Sequence, residues 1–276
     1  MRPTYFIQKH LRLLGVRLNQ KKSLRRIQAL QHSGVNGIIQ AMEQGLKSNE
    51  KDNEDFFHCE QFRKEALESN ELISYEVFGS SKRRPLFEVA GISPSTPIWC
   101  RLIHNIVKQS NANRVLEIGT NIGISGSYIL SAMPDTGHFL TMEGNPQYCE
   151  ISRAFFSRLP SKTTYRIVEG LFDETFPGIM DSEGNWDVVF IDGNHYAEPT
   201  WEYFTKLSER MASGGIMLFD DIHWSLEMKQ VWRRIISHSK VLCSIDLFHV
   251  GIVFLKEDNE VHPNESSQHF SLHYAY

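Results

Sequence analysis

The chain has 276 residues, of which 41% are hydrophobic and 22% charged, so it has the length of one large or two small domains and can bury a sizeable core. That composition excludes a disordered or fibrous protein. A formal net charge of −4 at pH 7 and a pI near 6.3 exclude the basic footprint of a nucleic-acid binder, so no nucleic-acid partner is expected.

Charge is nonetheless uneven. Residues 1–26 carry Arg2, Lys9, Arg12, Arg17, Lys21, Lys22, Arg25 and Arg26 and no acid. This reads as a solvated basic face on a terminal helix, with contact to an anionic surface as the alternative. No apolar run approaches the roughly 20 residues that span a bilayer. The N-terminus also lacks the continuous apolar stretch of a signal peptide. Cys59, Cys100, Cys149 and Cys243 are far apart, so they are expected as reduced thiols in a cytoplasmic protein.

The first 80 or so residues read as helical. Ser23 is expected to cap a helix through Leu24, Ile27 and Leu30 that breaks at Ser33 and Gly34 and resumes at Val35. A second helix fits 54–69, where Phe56, Phe57, Phe62 and Leu67 recur near helical spacing. The turn-rich basic segment 79–85 reads as a linker and sets a domain boundary, leaving a helical cap at 1–85.

After it the period changes. Apolar runs at 114–118, 138–142, 165–168, 186–191, 215–219, 241–247 and 250–255 alternate with helical patterns at 125–133, 146–159, 198–211 and 225–238. That alternation means βαβ units: an α/β protein with a mainly parallel, seven-stranded sheet covered on both faces, spanning 86–256. Only Phe248 and His249 separate the last two runs, so these should form an antiparallel hairpin. The polar tail 257–276 carries His262, His269 and His273 and receives no role.

The chemistry gathers at strand ends. The strand 114–118 runs into Gly119-Thr120-Asn121-Ile122-Gly123 and then a helix. Glycine suits a close backbone approach, and a helix start offers N–H groups and a positive dipole end to a carboxylate. Asn121 stands where a dinucleotide fingerprint has its middle glycine. Glu143, at the end of the next strand, suits a ribose diol. Gly170-Leu171-Phe172, Asp192-Gly193-Asn194-His195 and Asp220-Asp221-Ile222-His223 follow the next three strands, where open α/β sheets bind ligands. Asp192, Asp220 and Asp221 would repel one another in one cleft unless a hard cation neutralised them. The alternative is that Asp220 or Asp221 caps the helix that follows.

On these motifs, residues from about 86 to 256 resemble the class I S-adenosylmethionine-dependent methyltransferases. The similarity is greatest to the catechol and caffeoyl-CoA O-methyltransferase-like branch and to bacterial small-molecule methyltransferases that act on macrolides and aminocoumarin sugars. Its most specific part is the run from Glu117 through Ile118, Gly119, Thr120 and Gly123 to Ser125. The resemblance implies a Rossmann-like methyltransferase fold, S-adenosyl-L-methionine as cofactor, and O-methylation of a small-molecule acceptor. It implies cofactor contacts at Glu117, Gly119, Thr120, Ser125 and Asp192, ribose binding by Glu143, and an adenine lining of Gly170, Leu171 and Phe172. It also implies Mg²⁺ or Mn²⁺ at Asp192, Asp220 and Asp221.

The chain departs from these relatives at the base. The catechol branch has a lysine where this sequence has His195, and the sugar-methylating branch has an aspartate where it has Asn194. His195, beside Asp192, is therefore the expected catalytic base, with His223 in reserve. The N-terminal helices are expected to cover the acceptor and to offer a homodimer surface. A nicotinamide-dependent oxidoreductase and a non-catalytic cofactor-binding regulatory subunit are the competing readings.

Overall fold

A computed structural model of the protein describes residues 3–30, 33–47, 56–93, 95–182, 184–257, 267–272 and 274. The chain opens with α1 (Pro3–Gln28), α2 (Ser33–Lys47) and α3 (Phe57–Glu68). A small antiparallel hairpin then pairs β1 (Leu72–Ser74) with β2 (Arg83–Pro85) and leads into α4 (Leu86–Ile92) and α5 (Pro97–Gln109). Val35, Ile38, Ile39 and Met42 recur at helical spacing on α2 and are buried, because that stripe faces α5. Phe62 of α3 stacks on Phe155 at 3.7 Å between ring centroids, which fastens the N-terminal helices to the sheet layer beyond.

The large sheet holds β3 (Arg114–Ile118), β4 (His138–Glu143), β5 (Thr164–Glu169), β6 (Trp186–Ile191) and β7 (Met211–Phe219) in parallel. Next come β8 (Val241–Asp246) and β9 (Gly251–Leu255), with β9 antiparallel between β7 and β8. A last strand, β10 (Gln268–Ser271), pairs parallel with β8. The order is β10-β8-β9-β7-β6-β3-β4-β5, so the chain reverses its direction of winding between β3 and β6. Such a switch point opens a crevice at the carboxyl ends of the strands.

Alternation within each strand builds two cores. Val115, Val188, Phe190, Ile216 and Leu218 pack in one layer with residues of α2, α3, α5, α6 (Ile124–Ala132) and α7 (Pro146–Phe156). Leu116, Ile118, Val189, Ile191, Met217 and Phe219 pack in the other with α8 (Phe172–Ser182), α9 (Ala197–Leu207) and α10 (Leu226–Ile236). Successive side chains of a strand point to opposite faces, so a sheet covered on both sides reads as continuous apolar runs.

Several expectations need correction. Ser23 lies inside α1 instead of capping it, because the residues before it, rich in Leu, Lys, Arg and Gln, are themselves good helix formers. Residues 83–85 of the expected linker are a paired strand, which leaves only 79–82 as a turn. The sheet has eight strands, since the tail contributes β10, with Phe270, Leu272 and Tyr274 buried. Three apolar residues at alternate positions are a short strand signal inside a polar segment, and His269 within it bonds Ser244 at 2.9 Å. His262, His273 and the first residues of the expected helix at 54–69 lie outside the described residues. All four cysteines are unpaired and buried, and no helix among the described residues is long and apolar enough to cross a membrane.

Candidate active site

A cavity of about 620 Å³ opens at the switch point. Gly119, with φ of +105°, turns the chain out of β3 so closely against β6 that a Cβ there would collide with the carbonyl oxygen of Asp192. The N–H groups of Gly119 and Thr120 both reach the carbonyl of Met142, at 3.1 and 3.0 Å, which ties the turn to the end of β4. Gly119, Thr120, Asn121 and Ser125 then line the cavity floor.

Glu117 lies beneath that floor, fully buried. It accepts hydrogen bonds from Ser125 (2.6 Å) and Thr141 (2.7 Å). Burial pushes its carboxyl up to about 7, against the lowering effect of those two hydroxyls. Glu117 does not line the cavity, so it supports the turn from below. The hydroxyl proton of Ser125 is directed at Glu117, which leaves the open N–H groups of the first turn of α6 to face a ligand.

Glu143 closes β4 and faces the cavity with little exposure. Its two oxygens accept the backbone N–H groups of Asn121 (2.7 Å) and Asn145 (2.8 Å). The Gly144 N–H also bears on this carboxylate, which keeps lone-pair capacity for a hydroxyl. Burial pushes this carboxyl also up to about 7. Leu171 and Phe172 line the same side, with Gly170 (φ +139°) at the bend before them.

The β6 and β7 ends meet at the opposite side. Asn194 and Asp221 adopt positive φ, 66° and 53°, conformations that Asn and Asp tolerate better than most residues. These turns bring His195 between two carboxylates, with Nε2 3.8 Å from Asp192 and Nδ1 3.9 Å from Asp221. His195, Asp192 and Asp221 line the cavity and Asp220 does not. The Asp192 and Asp220 carboxyls face each other. Burial and the facing Asp220 charge push Asp192 upward, while burial and Asp221 push Asp220 upward.

The three aspartates thus reach adjacent strand ends without sharing a centre. Two are turned toward each other and the third toward His195. Among the described residues no three Asp, Glu, His or Cys side chains are placed to hold a metal ion. His223 is not at the cavity: it is buried, with Nε2 2.8 Å from Asp246 at the end of β8. Phe78, Ile92, Tyr148, Asp173 and Trp224 line the cavity as well. None of them was singled out from the sequence, because they sit in loops, a single 3-10 turn and helix ends where no periodicity marks them. Trp224, 73% exposed and three residues past Asp221, was the most accessible of them to a local reading.

Comparison with known proteins bears directly on this crevice. Residues 116–222, which carry the turn, Glu143, His195 and the aspartates, match the methyltransferase domain family. They form a class I, S-adenosylmethionine-dependent methyltransferase domain. A Mycobacterium ulcerans protein assigned as an O-methyltransferase is 27% identical over 158 residues, covering 54% of this chain and 68% of that one. A second assigned O-methyltransferase, from Mycobacterium tuberculosis, is 29% identical over 149 residues, 53% of this chain and 63% of its own. The chain therefore spans about two thirds of the length of these relatives. Among solved structures, the O-methyltransferase TomG of Streptomyces achromogenes, crystallised with its cofactor, superposes with a TM-score of 0.55 at 18% identity. That match covers 75% of this chain and 91% of TomG. At such identity the likeness is one of fold.

Proposed function

We propose that this methyltransferase transfers a methyl group to a hydroxyl oxygen of a small molecule, with His195 taking the acceptor's proton. The observation that carries this is the cavity itself. A ribose-binding carboxylate (Glu143) lies at one side of the Gly119 turn, and a histidine held between carboxylates lies at the other.

S-adenosylmethionine supplies, when bound, a methyl group activated by its sulfonium charge. The chain's own residues do the rest. The Gly119–Thr120 backbone and the first turn of α6 receive the amino-acid end, Glu143 accepts from the ribose hydroxyls, and Leu171 and Phe172 flank the base. The acidic wall of Asp192 and Asp221 suits a cationic group. His195, 38% exposed, is placed to take the proton of an acceptor hydroxyl while that oxygen would displace the thioether S-adenosylhomocysteine from the methyl carbon in line, the C–S bond breaking as the C–O bond forms, and the two carboxylates would stabilise the imidazolium that results. The N-terminal segment is read as a cap, and among its described residues Phe78 lines the cavity.

The aspartates as arranged do not fit a resident Mg²⁺ or Mn²⁺, and no step here runs through one. A metal-assisted reading would need Asp220 to turn into the cavity beside Asp192 and Asp221, and a chelator decides it. Transfer of labelled methyl groups from S-adenosylmethionine to a panel of phenols, sugars and other hydroxylated acceptors tests the proposal, run with and without EDTA. Hydroxyl-dependent product in EDTA is the expected result. Loss of activity in EDTA with recovery on Mg²⁺ reinstates the metal. No transfer to any acceptor, with S-adenosylhomocysteine still bound, returns the regulatory-subunit reading. Binding of NAD in its place returns the oxidoreductase.

A further inference from the structure

The β1–β2 hairpin lies outside the matched domain, yet it reaches into the cavity. Its attachment is specific. Gln147, in the first turn of α7, accepts the Ser74 N–H at 2.6 Å and donates to the Leu72 carbonyl at 3.1 Å. Asn145 donates to the Ser74 carbonyl at 2.8 Å, and the hydroxyls of Tyr75 and Tyr148 meet at 2.7 Å. These bonds hold residues 72–75 against the start of α7, directly after Glu143. The chain then makes a single 3-10 turn over Glu76–Phe78 and presents the Phe78 ring to the cavity.

The ring lands on Gly144. A Cβ at Gly144 would come 3.0 Å from Cε1 of Phe78 and 3.4 Å from Cδ2 of Leu171. Gly144 has no positive φ to require glycine, so the missing side chain makes room for Phe78. An aromatic face, 49% exposed, thus stands beside Glu143 and Leu171, on the β4–β5 side of the crevice. A half-exposed aromatic ring on a cavity wall leaves apolar area uncovered that a flat ligand would bury.

We propose that Phe78 is a cofactor-binding residue, stacking on the adenine of the bound cofactor and supplying from the N-terminal hairpin a wall that the matched domain lacks. This rests on the reading that Glu143 holds the ribose, because the base must then lie toward Gly144 and Leu171. Stacking tolerates any flat π-system, and losing one base–aromatic contact costs roughly 5- to 150-fold in affinity.

Calorimetric titration of the full chain with S-adenosylhomocysteine tests it. Phe78→Ala should lose affinity by roughly that factor, while Phe78→Trp stays within a few-fold of wild type and Phe78→Leu falls between them. Gly144→Ala, whose methyl would press on the ring, should weaken binding in the same direction. The melting temperatures of the ligand-free variants identify any that is unfolded, and Phe78→Leu and Gly144→Ala each carry the test without Phe78→Ala. Equal affinity for wild type and folded Phe78→Ala or Phe78→Leu overturns the proposal. So does a Trp variant as weak as the Ala one, since the ring would then act only as packing. No binding by wild type overturns the cofactor reading itself, a distinct result.

Discussion

A side chain at Gly119 would strike the carbonyl oxygen of Asp192, so the ends of β3 and β6 approach as closely as two backbones can. The φ of +105° at Gly119 adds a second demand that only glycine meets without strain. Gly119→Ala should therefore cost more than an ordinary surface change: about 1–3 kcal/mol from the backbone alone, with the collision added. Urea denaturation should show the loss of stability, and titration with S-adenosylhomocysteine should show little or no binding. A stable, binding-competent Gly119→Ala would mean that the turn can open without harm to the site.

Glu117 and Glu143 give the fold a pH dependence whose sign is fixed. Burial raises both carboxyls to about 7, whereas glutamate in an unfolded chain titrates near 4.3. Between those values the folded state binds more protons than the unfolded one, so stability falls as pH rises through the window and levels off above about 7. Each group contributes at most about 4 kcal/mol to that fall. Glu117→Gln keeps one acceptor oxygen, for either Ser125 or Thr141, and removes one of the two titrations. Denaturation midpoints from pH 5 to 8 should fall less steeply in this variant, and an unchanged slope would assign the dependence elsewhere.

Glu143→Ala removes the proposed ribose acceptor and also the partner of the Asn121 and Asn145 N–H groups. A hydrogen bond to a charged acceptor is worth roughly 1.5–3 kcal/mol, so affinity for S-adenosylmethionine should drop about ten- to a hundredfold. Glu143→Gln, which keeps one carbonyl oxygen, should lose less. Calorimetry on both variants separates ribose binding from a general loosening of the turn: equal losses favour the latter.

His195→Ala should slow methyl transfer in a single turnover by about 10²- to 10⁴-fold, the usual contribution of a positioned base. Cofactor affinity should hardly change, because the ring lies on the β6–β7 side of the cavity. Rapid-quench measurement at saturating cofactor gives the rate directly. Near-wild-type transfer would reduce His195 to a packing residue and hand the proton to solvent.

The sheet was legible in the sequence because both its faces are buried. Runs such as 186–191 are apolar at every position but Asp187, and β6 spans those same residues (Trp186–Ile191). The strand ends were legible for the related reason that polar clusters stop such runs abruptly. The helix α5 was not anticipated, and neither were α4 and α8, the last of which carries an internal Pro177. The role of Asp220 also escaped the sequence. Side-chain direction at a strand end depends on one or two backbone dihedrals, here the positive φ at Asp221, and no spacing rule encodes them. Phe78 was hidden for a different reason: its place at the cavity is set by Gln147 and Asn145, some 70 residues away in the chain.

Strand β10 has a consequence for how the protein can be handled. Without it, β8 would end the sheet with a bare row of N–H and C=O groups, the kind of edge that recruits strands from other molecules. Its outer side is attended by α1, with the Arg26 guanidinium 5.4 Å from the centre of the Phe270 ring. The two ends of the described chain are thus hemmed together four strands away from the switch-point crevice. Trimming residues 267–276 should leave the crevice's own residues in place and convert the hem into an adhesive margin, so that the shortened protein aggregates before it loses its chemistry.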